Sequence, residues 1–141
     1  MKNGSKLIVF FYAVVIIAAG CSKGGAPVED IHAYDFSDST VPVLELTNPL
    51  ENQVFSNGDI IKVDGKVTDN GLYKGSIKIT NDAGGATIKE QQFEIHGFQL
   101  YNFHFEYKTA VIAAANYTIS VQFEDHGSNE ALKLVKVKVN P

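Results

Sequence analysis

The chain has 141 residues, of which 45% are hydrophobic, with 12 basic side chains against 16 acidic ones and a net charge of −4. Every basic residue is a lysine, so the arginine clamps and the basic footprint that nucleic-acid binding needs are missing, and no nucleic-acid partner is expected. The single cysteine, Cys21, excludes an intramolecular disulfide, so the core alone must hold the fold, and about 100 residues suffice for one.

Residues 1–20 begin with Lys2 and Lys6, continue as an unbroken apolar run from Leu7 to Ala19, and end on Ala18-Ala19-Gly20 just before Cys21. The run is too short to cross a membrane, which takes about 20 apolar residues, and has the length of a signal-peptide core, about 7–15 residues. Small residues followed by cysteine resemble the lipobox of bacterial lipoproteins, although Ala18 stands where that family most often has leucine. The resemblance implies cleavage between Gly20 and Cys21, lipidation of Cys21, and an effectively permanent membrane anchor, because several acyl chains hold where one does not. Ser22, rather than aspartate, follows the cysteine. In lipoproteins this implies delivery to the outer membrane of a Gram-negative bacterium.

Residues 21–41 read as a flexible tether of Ser, Gly, Pro and acidic residues without a clear period. Within it, Asp38-Ser39-Thr40 resembles a sequon for O-glycosylation of exported proteins, which makes Ser39 the acceptor if the segment is more than a linker.

From residue 42 to 141 the chain reads as strands. Tyr101, Phe103, Phe105 and Tyr107 alternate with polar residues, as do Tyr117, Ile119, Val121 and Phe123, and again Val135, Val137 and Val139. Weaker strands are expected at 43–47, 60–68, 75–80 and 86–95. Turn signals separate them: Asn48-Pro49, Asn57-Gly58-Asp59, Asp69-Asn70-Gly71, Asp82-Ala83-Gly84-Gly85 and His126-Gly127-Ser128-Asn129. Leu132 and Leu134 are out of phase with the valines that follow, which predicts a bulge or a change of sheet near Leu134–Val135. A helical turn is expected within 110–115. About seven two-faced strands in this length predict an immunoglobulin-like β-sandwich of two antiparallel sheets.

Asn48-Pro49, the run from Gly58 to Asp69 with Gly71-Leu72, and Ala115 to Val121 followed by Asp125, Gly127 and Asn129 resemble the opening and closing strands of immunoglobulin-like domains in small bacterial lipoproteins. Ala115 replaces the glycine usual before the tyrosine, and Ser128 splits the usual Gly-Asn pair. The resemblance implies the fold over about residues 42–140 and is silent on activity. It also implies that Tyr117 buries its ring while its hydroxyl reaches back to the preceding connection, a tyrosine corner.

In such a sandwich the second and sixth inter-strand loops share an end, which brings Asp69 and Asn70 toward Asp125 and Asn129. Oxygen ligands from two loops suit Ca²⁺; the same residues also bond their own turn backbones. His32, His96, His104 and His126 share no zinc-ligand spacing, and His104 belongs to a polar strand face. No Gly-x-Ser-x-Gly turn occurs, and Glu94 and Glu106, which are expected to face each other across a sheet, read as solubility residues, so an enzyme is not expected. Phe98, Tyr101 and Phe103 either pack in the core or form an aromatic ligand surface. The reading that results is a lipid-anchored, non-enzymatic module of the cell envelope that binds an envelope protein, with a surface glycan-binding lipoprotein or a Ca²⁺-stabilised spacer as alternatives.

Overall fold

The structure, a computed structural model, describes residues 36–141. Cys21, Gly20 and His32 lie outside the described residues. Eight strands run through them: β1 (Val43–Asn48), β2 (Gln53–Ser56), β3 (Ile60–Thr68), β4 (Leu72–Asn81), β5 (Thr87–Glu94), β6 (Leu100–Lys108), β7 (Ala115–Asp125) and β8 (Glu130–Asn140). The strand that sequence reading passes over is β2. It has four residues and one buried side chain, Phe55, too little alternation to register as a strand.

The strands form two sheets, in the orders β1-β3-β6 and β2-β8-β7-β4-β5. All pairs are antiparallel except β2 with β8. The chain changes sheets between β1 and β2, where the Asn48–Pro49 peptide bond is cis. This order, with the first strand split between the sheets, is an immunoglobulin-like, fibronectin-III-like sandwich.

Alternate residues of both sheets face inward and fill the space between them. Phe123 of β7 is the centre: the rings of Phe103, Phe93 and Tyr101 lie 5.2, 5.9 and 6.2 Å from its own. The Phe123 ring covers Gly75 of β4 so closely that a Cβ there would overlap it. The Tyr117 ring is buried at the start of β7, as expected; its hydroxyl makes no hydrogen bond to the preceding connection among the described residues.

Four expectations are corrected. The β7–β8 register runs unbroken from Ala115↔Val139 to Glu124↔Glu130, so there is neither a bulge nor a change of sheet at Leu134–Val135; Leu132 and Leu134 simply face solvent. Residues 110–114 bend at Ile112–Ala113 without a helical turn. Glu94 and Glu106 lie on different sheets, opposite Lys74 and Lys62. Phe98, Tyr101 and Phe103 do not form a surface: Phe103 is 2% exposed in the core, Tyr101 is half-buried against Phe93 and Phe123, and only Phe98 stands out, 6.2 Å from Tyr101. A strand that opens toward the core carries every second aromatic into it.

Contacts with the sandwich begin ahead of residue 42. The backbone carbonyl of Asp38 accepts a hydrogen bond from Asn129 Nδ2 at 2.9 Å, and the Phe36 ring meets that of His126 edge-on at 6.0 Å. This segment shows no period because it is held by loop contacts rather than by a sheet.

Candidate functional site

Three connections meet at one end of the sandwich. The turn between β3 and β4 bonds the connection between β5 and β6 through Asp69 N–H to Gln99 O and Leu72 N–H to Phe98 O, and it bonds the turn between β7 and β8 through His126 N–H to Gly71 O. Residues 36–38 complete this end.

Asp38, Asp69 and Asp125 each place a carboxylate oxygen here, all within 4.8 Å of one another. Asp125 is the last residue of β7 and only 1% exposed. Its Oδ1 accepts from Asn129 N–H and its Oδ2 from Asn129 Nδ2, both at 2.8 Å. Asp69 Oδ1 accepts from Gly71 N–H at 2.9 Å, and Asp38 Oδ1 from Thr40 N–H at 2.8 Å. Each carboxylate thus braces its own loop and retains lone pairs, since an ionised carboxylate offers about four acceptor positions. Burial, then the charges of Asp125 and Asp38, push Asp69 above its ordinary value, against the pull of the Gly71 N–H. Gly127 lets the turn close: a Cβ there would run into the Asp38 carbonyl and the Asn129 amide.

Oxygens on opposite sides of a Ca²⁺ ion, bound at about 2.4 Å, are about 4.8 Å apart, so three carboxylates with this spacing suit a hard divalent cation. Of the four residues expected from sequence, the fold brings Asp69 and Asp125 into the cluster. Asn129 donates its amide nitrogen to the Asp125 carboxylate and to the Asp38 backbone carbonyl and acts as a brace. Asn70 is exposed and does not belong to the carboxylate cluster among the described residues. Asp38 enters from the segment read as tether. Its signal in the sequence is the Asp-x-Thr that forms the local turn, there read as part of a sequon. Ser39 between them is exposed.

Beside the carboxylates stands a group of rings. Tyr73 of β4 lies 4.7 Å from His126 and 4.7 Å from His96, and the two histidines are 5.3 Å apart. Burial, then the neighbouring His96, lowers the His126 pKa, while Asp125 opposes the shift. His96 Nε2 pairs with Glu94 at 3.3 Å, and the Lys74 ammonium sits 4.8 Å from the Tyr73 ring centre. Sequence spacing hides this group because its members come from one strand and two separate connections. His104, by contrast, is exposed on the outer face of the three-stranded sheet, as expected. Its Nδ1 bonds Asp64 and its Nε2 lies 3.4 Å from Glu106.

No family model and no curated protein matches the chain. Solved structures similar to it include an engineered protein, at 11% identity over 71% of this chain and 20% of that one, TM-score 0.48. The fibronectin(III)-like modules of Clostridium thermocellum CbhA match at 22% identity over 71% and 46%, TM-score 0.46, and murine CRIg at 12% over 72% and 98%, TM-score 0.45. The chain spans less than half the length of the first two. By its own strand order, the protein is an immunoglobulin-like β-sandwich module.

Proposed function

We propose that this module is a lipid-anchored, non-enzymatic binding protein of the bacterial cell envelope, held by Cys21 in the outer membrane and engaging an envelope protein through the loop end of the sandwich. The observation that carries the reading is the ring group of Phe36, Tyr73, His96 and His126 beside three carboxylates, side chains that lie outside the aromatic core around Phe123. Rings next to concentrated negative charge suit a partner that offers cationic and apolar side chains together. The test places a photo-crosslinking residue at Phe36 or His96 in the full chain, in intact cells, with Gln122 on the sheet face as the control. A discrete crosslinked protein from the loop positions alone is the expected result. Equal products from all three positions would sink the reading, and binding to arrayed glycans would shift it to the glycan-binding alternative.

A second reading, a Ca²⁺-stabilised spacer, is favoured by one observation, the convergence of Asp38, Asp69 and Asp125. The two readings are compatible, because a cation that ties the segment before β1, the β3–β4 turn and the end of β7 together would also stiffen the binding end.

A further inference from the structure

Two Asn-Gly pairs lie among the described residues, Asn57-Gly58 between β2 and β3 and Asn70-Gly71 between β3 and β4. Asparagine followed by glycine has a chemistry of its own. The glycine nitrogen can attack the carbonyl carbon of the asparagine side chain, and glycine has no Cβ to obstruct the approach. Both asparagines are exposed in turns, so sequence alone treats them alike. Their hydrogen bonds differ.

Asn57 is held at every group the reaction needs. Its Oδ1 accepts from Val111 N–H at 3.0 Å, its own N–H donates to the Asn140 carbonyl at 2.8 Å, and Gly58 N–H donates to the Thr109 carbonyl at 3.1 Å. The side chain is thereby tied to the connection between β6 and β7, and the attacking nitrogen to Thr109. The Asn70 side chain makes no hydrogen bond among the described residues, so it is free to turn onto the Gly71 nitrogen. One bond restrains this second pair: Gly71 N–H donates to Asp69 Oδ1 at 2.9 Å.

We propose that Asn70 is a site of deamidation in the folded protein, while Asn57 is kept inert by its hydrogen bonds. Hydroxide removes the Gly71 N–H proton, and the nitrogen forms a bond to Asn70 Cγ. The tetrahedral carbon then breaks its bond to the side-chain nitrogen, which takes a proton from water, restores hydroxide and leaves as ammonia. Water opens the resulting cyclic imide at either carbonyl, giving aspartate or isoaspartate at position 70. Asp69 acts as a brake: its carboxylate holds the proton that must leave, and its charge opposes the anionic intermediate. The product adds a negative charge to the end of the sandwich where Asp38, Asp69 and Asp125 converge. Its isoaspartate form also lengthens the backbone of a turn that bonds both neighbouring connections.

The test keeps the full chain in EGTA at neutral pH and physiological temperature for several days, then digests it after lysine and weighs the peptides. Cleavage after Lys66 and Lys74 isolates residues 67–74, where Asn70 is the sole asparagine; Asn57 falls in residues 24–62. The expected 67–74 peptide gains the mass difference between an amide and an acid and separates into aspartyl and isoaspartyl forms. Freeing Asn57 costs at least one more hydrogen bond, so it should react about tenfold more slowly. In urea both turns are lost, and the two should react at similar rates. Asp69→Ala should speed the reaction at Asn70 and leave Asn57 slow, which also shows that the variant is folded. Asn57 keeping pace with Asn70 in the native chain overturns the proposal, as does an Asn70 that reacts in urea but not in the native chain. An Asp69→Ala chain whose Asn70 reacts no faster overturns the role given to Asp69.

Discussion

Gly75 and Phe123 show how one residue's size is set by another's position. The Phe123 ring occupies the volume a Cβ at position 75 would need, with the Gln122 carbonyl also in close approach. Because Phe123 is wedged among Phe93, Tyr101 and Phe103, it has nowhere to retreat. Gly75→Ala should therefore destabilise the domain by about 1–3 kcal/mol, as overpacking of a filled core does. Urea denaturation checks this: the midpoint should fall while the slope stays constant, and an unchanged midpoint would contradict the packing described.

His104 and His126 respond to pH with opposite signs. Asp64, bonded to His104, raises its pKa above the ordinary value, so the folded state holds that proton more tightly than the unfolded chain. Its stabilisation is complete below the unfolded value of about 6.5 and is lost as pH rises through the higher folded value. His126, lowered by burial, contributes stability that is present above the unfolded value and lost as pH falls through the lowered one. The parent pH profile mixes the two, so the useful quantity is the difference between parent and His104→Gln. It should be largest below the unfolded value of about 6.5 and vanish as pH rises through the raised folded value. A difference constant with pH would show that the Asp64–His104 pair contributes nothing.

Among the elements, the connections at the loop end hold three carboxylates at a cost. Asp69 is raised by burial and by its acidic neighbours, so its contribution is present below the ordinary carboxylate range and is lost as pH rises through the raised value. At neutral pH, without a divalent cation, ionised Asp69 therefore opposes folding. Asp69→Asn keeps an oxygen for the Gly71 N–H and removes the charge. It should raise the melting temperature in EGTA, whereas Ca²⁺ should stabilise only the parent. Ca²⁺ at about a hundred times its dissociation constant adds about 2.7 kcal/mol. If Ca²⁺ leaves the parent's melting temperature where EGTA puts it, the cation reading is lost.

The strands were legible to different degrees for physical reasons. β6 and β7 alternate over their whole length because each has one face in the core and one outside. β2 was hidden because its place is secured by parallel pairing with β8 rather than by a pattern of its own. β8 misled because an exposed leucine looks the same in sequence as an inward one; the uninterrupted pairing with β7 decided the phase. At the site, turn chemistry placed Asp69 and Asp125 at a shared end, but Asp38, Tyr73, His96 and His126 are joined only by tertiary contact.

For the whole molecule, the proposed position in the cell rests on the lipobox resemblance of the N-terminal residues. If Cys21 is lipidated, Cys21→Ser should move the protein from the membrane to the soluble fraction, and the mass of the parent should exceed that of the unmodified chain from residue 21 by the acyl groups. An unmodified parent mass would overturn the proposed lipid anchor. Intact mass also tests Ser39, since a sugar there adds hexose-sized increments beyond the lipid.

Sequence alone determined the fold class, because period-two alternation with turn residues at short intervals admits little besides packed antiparallel sheets. It also determined the anchor expectation, because a signal peptide is a linear message read before folding. Which aromatics are core and which loops touch were decided by tertiary structure. Those properties depend on how two sheets face and how far each strand is covered, and residues distant in the chain set both.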